Sequence, residues 1–187
     1  MKRIFLFIVF LGFCISSVNA QVAWGVRAGL CYSTMTGEGG SVSGKPSLEI
    51  GPTMYYALKN NLYINTGLMF SMKNFEADVT YIESGKTYSE TLNGTGYYLD
   101  VPIYLGYAFS TTKTTFYFQA GPFVGFKLAE GGDELGVESL NAGVGAAVGI
   151  NIKRFKIELG YQQGLLDVTD GWDVLMGSAF AGISYVF

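Results

Sequence analysis

The stretch Ser178-Ala-Phe-Ala-Gly-Ile-Ser-Tyr-Val-Phe187 decides the fold class of this chain. Read as a β-strand, it has an apolar and aromatic face made by Ala181, Ile183, Tyr185 and Phe187. Its other face is small or polar and carries Ser178, Gly182 and Ser184. This pattern is typical of the closing strand of an outer-membrane β-barrel, in which one face meets lipid and the other lines a crowded polar lumen.

The N-terminus predicts export from the cytoplasm. Lys2 and Arg3 precede an apolar run at 4–15, and small residues follow as far as Ala20. A basic start, a short apolar run and a small-x-small end are the parts of a secretory signal, so we expect cleavage near Ala20. Cys14 leaves a lipoprotein signal open as an alternative, although a bulky residue precedes it where a small one is usual.

Residues 21–187 are expected to form a single domain. They contain no linker, tandem repeat or second apolar run long enough for a membrane helix, which needs about 20 residues. A chain of this kind can span a membrane only as a closed barrel, because unpaired backbone groups are not tolerated in hydrocarbon. Cys31 is the only cysteine after the expected cleavage site, so an intramolecular disulfide is excluded.

Eight alternating segments predict an all-β, eight-stranded antiparallel up-and-down transmembrane barrel. They are 22–34, 47–58, 61–78, 95–109, 114–128, 138–152, 154–166 and 176–187. Tight turns at 59–60, 110–113 and 153–154 alternate with longer connections at 35–46, 79–94, 129–137 and 167–175. The short side of such a barrel is periplasmic. Ser84-Gly85-Lys86 is expected to turn the longest hairpin, so that the third and fourth strands project beyond the bilayer.

The predicted outward face is apolar in every segment, from Trp24, Val26 and Leu30 through to Ile157 and Leu159. Outward aromatic residues gather near the strand ends, as expected at the two membrane interfaces. A periplasmic belt is predicted from Trp24, Tyr56, Tyr107, Phe116, Phe155 and Phe187. Tyr32, Tyr97 and Tyr161 are expected near the outer interface.

The predicted inward face carries charge. Its ionisable residues are Arg27, Glu49, Lys73, Asp100, Lys127, Lys156 and Glu158. The interior of an eight-stranded barrel is only wide enough for side chains to fill it, and unpaired buried charge is costly. We therefore expect the three carboxylates to pair with the four cations and plug the lumen. A proton or ion relay through the same side chains is the alternative interpretation.

Charge also separates the two ends of the predicted barrel. The long connections, together with the strand ends that border them, hold twelve acidic residues against Lys45 and Lys86, whereas the charged residues of the short turns are all basic. An acidic outer crown disfavours nucleic acid and anionic substrates and favours divalent cations or basic partners. Outer-membrane lipid and a protein partner at the extracellular loops are the expected contacts.

Four segments resemble the PorT-like outer-membrane β-barrel family, which is common in Bacteroidota. They are Tyr97–Phe109 (YYLDVPIYLGYAF), Phe116–Phe126 (FYFQAGPFVGF), Leu140–Gly149 (LNAGVGAAVG) and Ile157–Leu165 (IELGYQQGL). The resemblance implies an eight-stranded outer-membrane barrel. It also raises an accessory role in protein secretion, since one group of members assists a secretion system, but the acidic connections match no motif of the family.

Two features of one predicted loop are candidate sites. Asp167, Asp170 and Asp173 surround a Gly-Trp pair and are weak candidates for Ca²⁺, although their spacing is not that of an EF-hand. A solvated acidic loop is the interpretation that we favour, and we expect no metal and no cofactor. Trp172 at the tip of this loop is a candidate contact for a partner or a lipid headgroup.

Three other function classes fit the sequence less well. An enzyme is not expected, because the chain contains no histidine to act as a catalytic base. A soluble, lipocalin-like ligand-binding barrel would be apolar inside and polar outside, the reverse of the predicted faces. A small-solute pore is disfavoured by the number of strands. The sequence thus predicts a non-enzymatic integral outer-membrane barrel, in which Arg27→Leu lowers stability more than a substitution of Lys86.

Overall fold

The computed structural model describes residues 22–37, 40–83, 86–111, 114–132, 139–166 and 174–187. The expected signal at 1–20, its Cys14 alternative and the loop with Asp167, Asp170, Trp172 and Asp173 lie outside these residues. Within them, no helix is long and apolar enough to cross a membrane.

All the regular structure of the described residues is β-strand. Nine segments follow each other along the chain: β1 (Val22–Gly37), β2 (Gly40–Ala57), β3 (Leu62–Gly67), β4 (Met69–Glu83), β5 (Lys86–Ser110), β6 (Thr115–Gly132), β7 (Leu140–Ile152), β8 (Phe155–Gly164) and β9 (Val174–Val186). Most of them are rich in the aromatic and β-branched residues that fit a pleated surface, whereas β7 has no aromatic residue and is rich in Gly and Ala. Every pairing between them is antiparallel.

The segments β3 and β4 form one strand of the wall, interrupted at Leu68. Both halves pair with β2 on one side and with β5 on the other. The interruption leaves Leu68 outside the regular ladder, and its backbone N–H donates to the carbonyl of Pro52 at 3.1 Å. The wall therefore has eight strand positions, as the sequence predicts.

The barrel closes between the first and last segments. The segment β9 pairs with β1 from Gly25↔Val186 to Gly37↔Val174, and β1 pairs with β2 along its other edge. Closure removes the free sheet edges that hydrocarbon does not tolerate. The prediction of a closed eight-stranded antiparallel barrel is confirmed.

The described strands extend further at one end of the barrel than at the other. Tight turns close one end, where Asn60, Asn61 and Lys153 have positive φ. At the other end the strands run further than predicted, and the pairing β4–β5 continues as far as Glu83↔Lys86. Much of what we expected to be loop is thus strand, including Lys45, Glu83 and Glu130. The projecting third and fourth strands agree with the expectation.

The two faces of the wall have opposite polarity. Large apolar side chains on the outside stay exposed in the isolated chain, such as Leu159 (60%) and Val148 (59%). The buried side chains facing inward include arginine, lysine, carboxylates, amides and tyrosines. This arrangement is the reverse of a soluble ligand-binding barrel and suits a wall surrounded by lipid.

Candidate functional site

The centre of the lumen is an arginine held between two carboxylates. Arg27 is only 4% exposed and forms ion pairs with Glu49 and Glu158. The distance from its Nη1 to Oε1 of Glu158 is 2.8 Å. Its guanidinium carbon also lies 4.5 Å from the ring centroid of Phe180. Because the three charges come from β1, β2 and β8, this cluster ties together wall strands that are not all neighbours.

Glycines make room for this cluster. A Cβ atom at Gly182 would lie 2.9 Å from Nε of Arg27. At Gly29 a Cβ would lie 3.0 Å from Oε1 of Glu49 and 2.6 Å from the carbonyl oxygen of Ala181. The long charged side chains can therefore lie across the neighbouring strands only because glycine stands there.

The second carboxylate oxygen of Glu158 continues the network. It accepts hydrogen bonds from the hydroxyl of Tyr117 at 3.1 Å and from Nε2 of Gln119 at 3.2 Å. The amide oxygen of Gln119 in turn accepts from the Tyr63 hydroxyl at 3.1 Å and from Nδ2 of Asn65 at 3.0 Å. Polar groups buried in this way are stabilised by having their partners already in place.

Lys156 lies in a cage of tyrosine rings. Its Nζ is 3.6 Å from the ring centroid of Tyr55, 4.4 Å from that of Tyr117 and 5.1 Å from that of Tyr63. Among the described residues no carboxylate lies within ion-pair distance of this ammonium group. We expected Lys156 to pair with a carboxylate; instead the faces of the three rings are its nearest electrostatic partners.

A second ion pair lies beyond the arginine cluster, towards the end of the barrel at which the strands extend furthest. Nζ of Lys73 is 3.1 Å from Oδ2 of Asp100, and the hydroxyl of Ser71 donates to the same oxygen at 2.7 Å. The ammonium also lies 4.4 Å from the ring centroid of Tyr98. All four side chains are buried, so this pair is well removed from water.

Lys127 lies one step further towards the same end of the barrel. Its Nζ lies 2.8 Å from Oε2 of Glu130, three residues further along β6. We expected Lys127 to pair with one of the three interior carboxylates and assigned Glu130 to a loop. The difference arises because β6 continues to Gly132, which keeps Glu130 on the strand beside Lys127.

The structure thus brings the seven ionisable residues predicted for the interior to the inner face, six of them in three ion-paired groups and Lys156 among tyrosine rings. The sequence interpretation did not include the tyrosines at 63, 98 and 117 or the serine at 71. Their signal was present, because each lies at an even spacing from a predicted inward residue. In the described part of the chain, no group of three or more His, Cys, Asp or Glu side chains is arranged to hold a metal ion.

Two comparisons identify the architecture. Residues 16–170 match the family described as "Outer membrane protein beta-barrel domain". Neisserial surface protein A of Neisseria has a similar structure, with a TM-score of 0.51 and 16% identity over 88% of this chain and 97% of that chain. The attachment invasion locus protein Ail of Yersinia pestis, solved with the heparin analogue sucrose octasulfate, has a TM-score of 0.51 and 16% identity over 89% and 99%.

At these identities the structural matches establish the fold alone. No curated protein sequence is significantly similar to the chain. The family match covers most of the chain and agrees with the closed barrel, the apolar wall and the polar lumen. The chain therefore belongs to the outer membrane protein β-barrel domain family, and its place is the outer membrane.

Proposed function

We propose that this protein is a non-enzymatic integral outer-membrane barrel with a sealed lumen, and that its structural or interaction role lies in its acidic extracellular segments. The observation that carries the proposal is that ion-paired side chains fill the lumen. Arg27, Glu49 and Glu158 bind one another across the barrel, and Lys73 binds Asp100. Side chains engaged in this way stabilise the barrel and leave the surface segments to contact other molecules.

The ion pairs also support the sealed lumen against the small-solute pore. Glu158 is 1% exposed and Lys73 is 2% exposed, so water reaches neither from the ends of the barrel. A conducting pore of this size would need these charges to separate, and separating a buried pair costs about 3–5 kcal/mol. The same engagement supports a structural role over a proton or ion relay.

The absence of histidine supports the non-enzymatic part of the proposal. A nucleophile is usually activated by a neighbouring base, and the interior carboxylates that could serve are already bound to cations. Catalysis by these lumen residues would therefore first require the plug to open.

The finer parts of the assignment are also proposals. A secretory signal cleaved near Ala20, membership of the PorT-like group of Bacteroidota and an accessory role in secretion are supported by the sequence motifs quoted above. The partner expected at the surface is basic. The heparin analogue in the Ail structure is a polyanion, whereas the extracellular segments of this chain are rich in Asp and Glu.

Site-specific photo-crosslinking in living cells tests where the protein meets its partners. A benzophenone amino acid at Thr87, in the extracellular hairpin, is compared with the same residue at Lys59, in a periplasmic turn. We expect protein adducts at Thr87 that exceed those at Lys59. Adducts confined to Lys59, or none at either position, would contradict an extracellular interaction role.

A further inference from the structure

The hairpin made by β4 and β5 continues beyond the points at which its pairing with the neighbouring strands β2 and β6 ends. The pairing β2–β4 ends at Ser43↔Glu76, and the pairing β5–β6 ends at Gly94↔Gly132. Seven further residue pairs of β4 and β5 lie beyond these limits. At about 3.4 Å per residue, the projecting part of the hairpin is about 24 Å long.

This projection has a free edge on each strand within the described part of the chain. One is the β4 edge, Ala77–Glu83, which pairs with β5 on one side and forms no described strand pairing on the other, where β2 continues to Gly40 in its pairing with β1. Successive residues of a strand point their backbone N–H and C=O groups to opposite sides of the strand. About half of the residues in this segment therefore have backbone groups on the outer edge that no described strand pairs with. Such an edge is a template for another extended chain.

The composition of the β4 edge suits strand addition. Its sequence, Ala-Asp-Val-Thr-Tyr-Ile-Glu, is rich in β-branched and aromatic residues, with two acidic residues and no basic one. The β5 edge at 86–93 carries one residue of each charge, Lys86 and Glu90, and so attracts a charged partner less. Charge complementarity therefore favours a basic strand on the β4 edge.

A second copy of the chain fits this edge poorly. Copies in one membrane share their orientation, so a two-fold axis along the membrane normal would pair the two β4 edges in parallel and in register. Asp78 would then lie beside Asp78 of the other copy, and Glu83 beside Glu83. Like charges opposed across two strands are destabilising.

We propose that the outer edge of Ala77–Glu83 binds an extended, lysine- or arginine-bearing segment of another protein as an added β-strand. The proposal rests on the extracellular interaction role proposed above and specifies its surface and its partner. Main-chain hydrogen bonds supply affinity in this mode of recognition, and the acidic residues select the charge of the incoming strand.

Fluorescence anisotropy with the purified, refolded protein in detergent tests the edge. The probe is a dye-labelled nine-residue peptide of alternating Lys and Val. A matched peptide of the same charge carries N-methyl groups on two successive central residues, so that both of its edges lose a backbone donor. We expect the unmodified peptide to bind at least about tenfold more tightly, and equal binding would overturn strand addition because charge alone would then explain it.

Two protein variants locate the binding. Asp78→Lys with Glu83→Lys reverses the charge of the β4 edge, and Glu90→Lys is the matched change on the β5 edge. We expect the double substitution on β4 to raise the dissociation constant of the unmodified peptide at least about fivefold. The substitution on β5 should change that constant less than about twofold. An equal effect of both changes would overturn the assignment to β4.

Loss of the faster gel migration of the unboiled protein would identify a variant that fails to fold. In that case the variant is replaced by one with a shortened hairpin, in which Asn-Gly joins Ala77 to Leu92. The shortened hairpin must abolish the difference in affinity between the unmodified and the N-methylated peptide. Peptide discrimination without adducts at Thr87 in cells would contradict the proposed cellular role and leave the edge as a binding surface. Adducts in cells with equal binding of both peptides would overturn this inference alone.

Discussion

Replacing Arg27 with leucine removes the cation that two buried carboxylates share. Glu49 and Glu158 would keep their places in the lumen, where they are 9% and 1% exposed, but would lose the guanidinium that binds both. Removing one partner of a buried ion pair typically costs about 3–5 kcal/mol, because it leaves an uncompensated buried charge. The contact with Phe180 adds about 1 kcal/mol or more to the loss.

We expect Arg27→Leu to lower the free energy of unfolding by at least about 3 kcal/mol in equilibrium urea titrations in detergent, followed by tryptophan fluorescence. Lys59→Leu is the matched control, since it also exchanges a cation for leucine, at an exposed turn position where about 0.5 kcal/mol is usual. Adding Glu49→Gln and Glu158→Gln to Arg27→Leu should recover much of the loss, because the uncompensated charges are then gone. Equal losses for Arg27→Leu and Lys59→Leu, or no recovery in the triple variant, would refute the plug.

Three further substitutions test other parts of the structure by the same titration. Lys156→Met should cost about 1–2 kcal/mol, less than the arginine variant, because it removes contacts with rings and no ion pair; a larger loss would contradict this. Gly182→Ala should lower the free energy of unfolding by about 1–3 kcal/mol, because the new methyl group displaces the Arg27 guanidinium. Gly131→Ala should be nearly neutral, because its methyl group would meet only the Tyr97 ring at 3.9 Å. Leu159→Arg on the lipid face should cost about 2–4 kcal/mol and exceed Leu166→Arg beyond the strand end; the reverse order would contradict the membrane placement.

The faces of the barrel could be predicted from the sequence because strand periodicity is local. Consecutive side chains of a strand alternate between lipid and lumen. The apolar residues next to Arg27, Glu49 and Glu158 face the lipid, and this predicts that the three charged side chains face the lumen. The family resemblance predicted the same architecture, and the match to the outer membrane β-barrel domain family confirms that coarser assignment.

The partners within the lumen could not be predicted in the same way. Which inward residues meet depends on the stagger between strands, and a single alternating pattern does not contain it. Lys156 illustrates the point, since its three tyrosine rings come from β2, β3 and β6. Glu130 was missed for another reason, because Gly-rich, acidic segments resemble loops even where the pairing with a neighbouring strand continues.

The steady-state ion conductance of the wild-type protein in planar lipid bilayers tests the sealed lumen most directly. The measurement uses protein that shows faster gel migration before boiling, so that a closed barrel is established beforehand. We predict no steady open level at moderate voltage, because the buried ion pairs of Arg27 and Lys73 fill the interior. A stable, ohmic open level would mean that ions pass the paired charges, and it would contradict the account of the lumen as a plug.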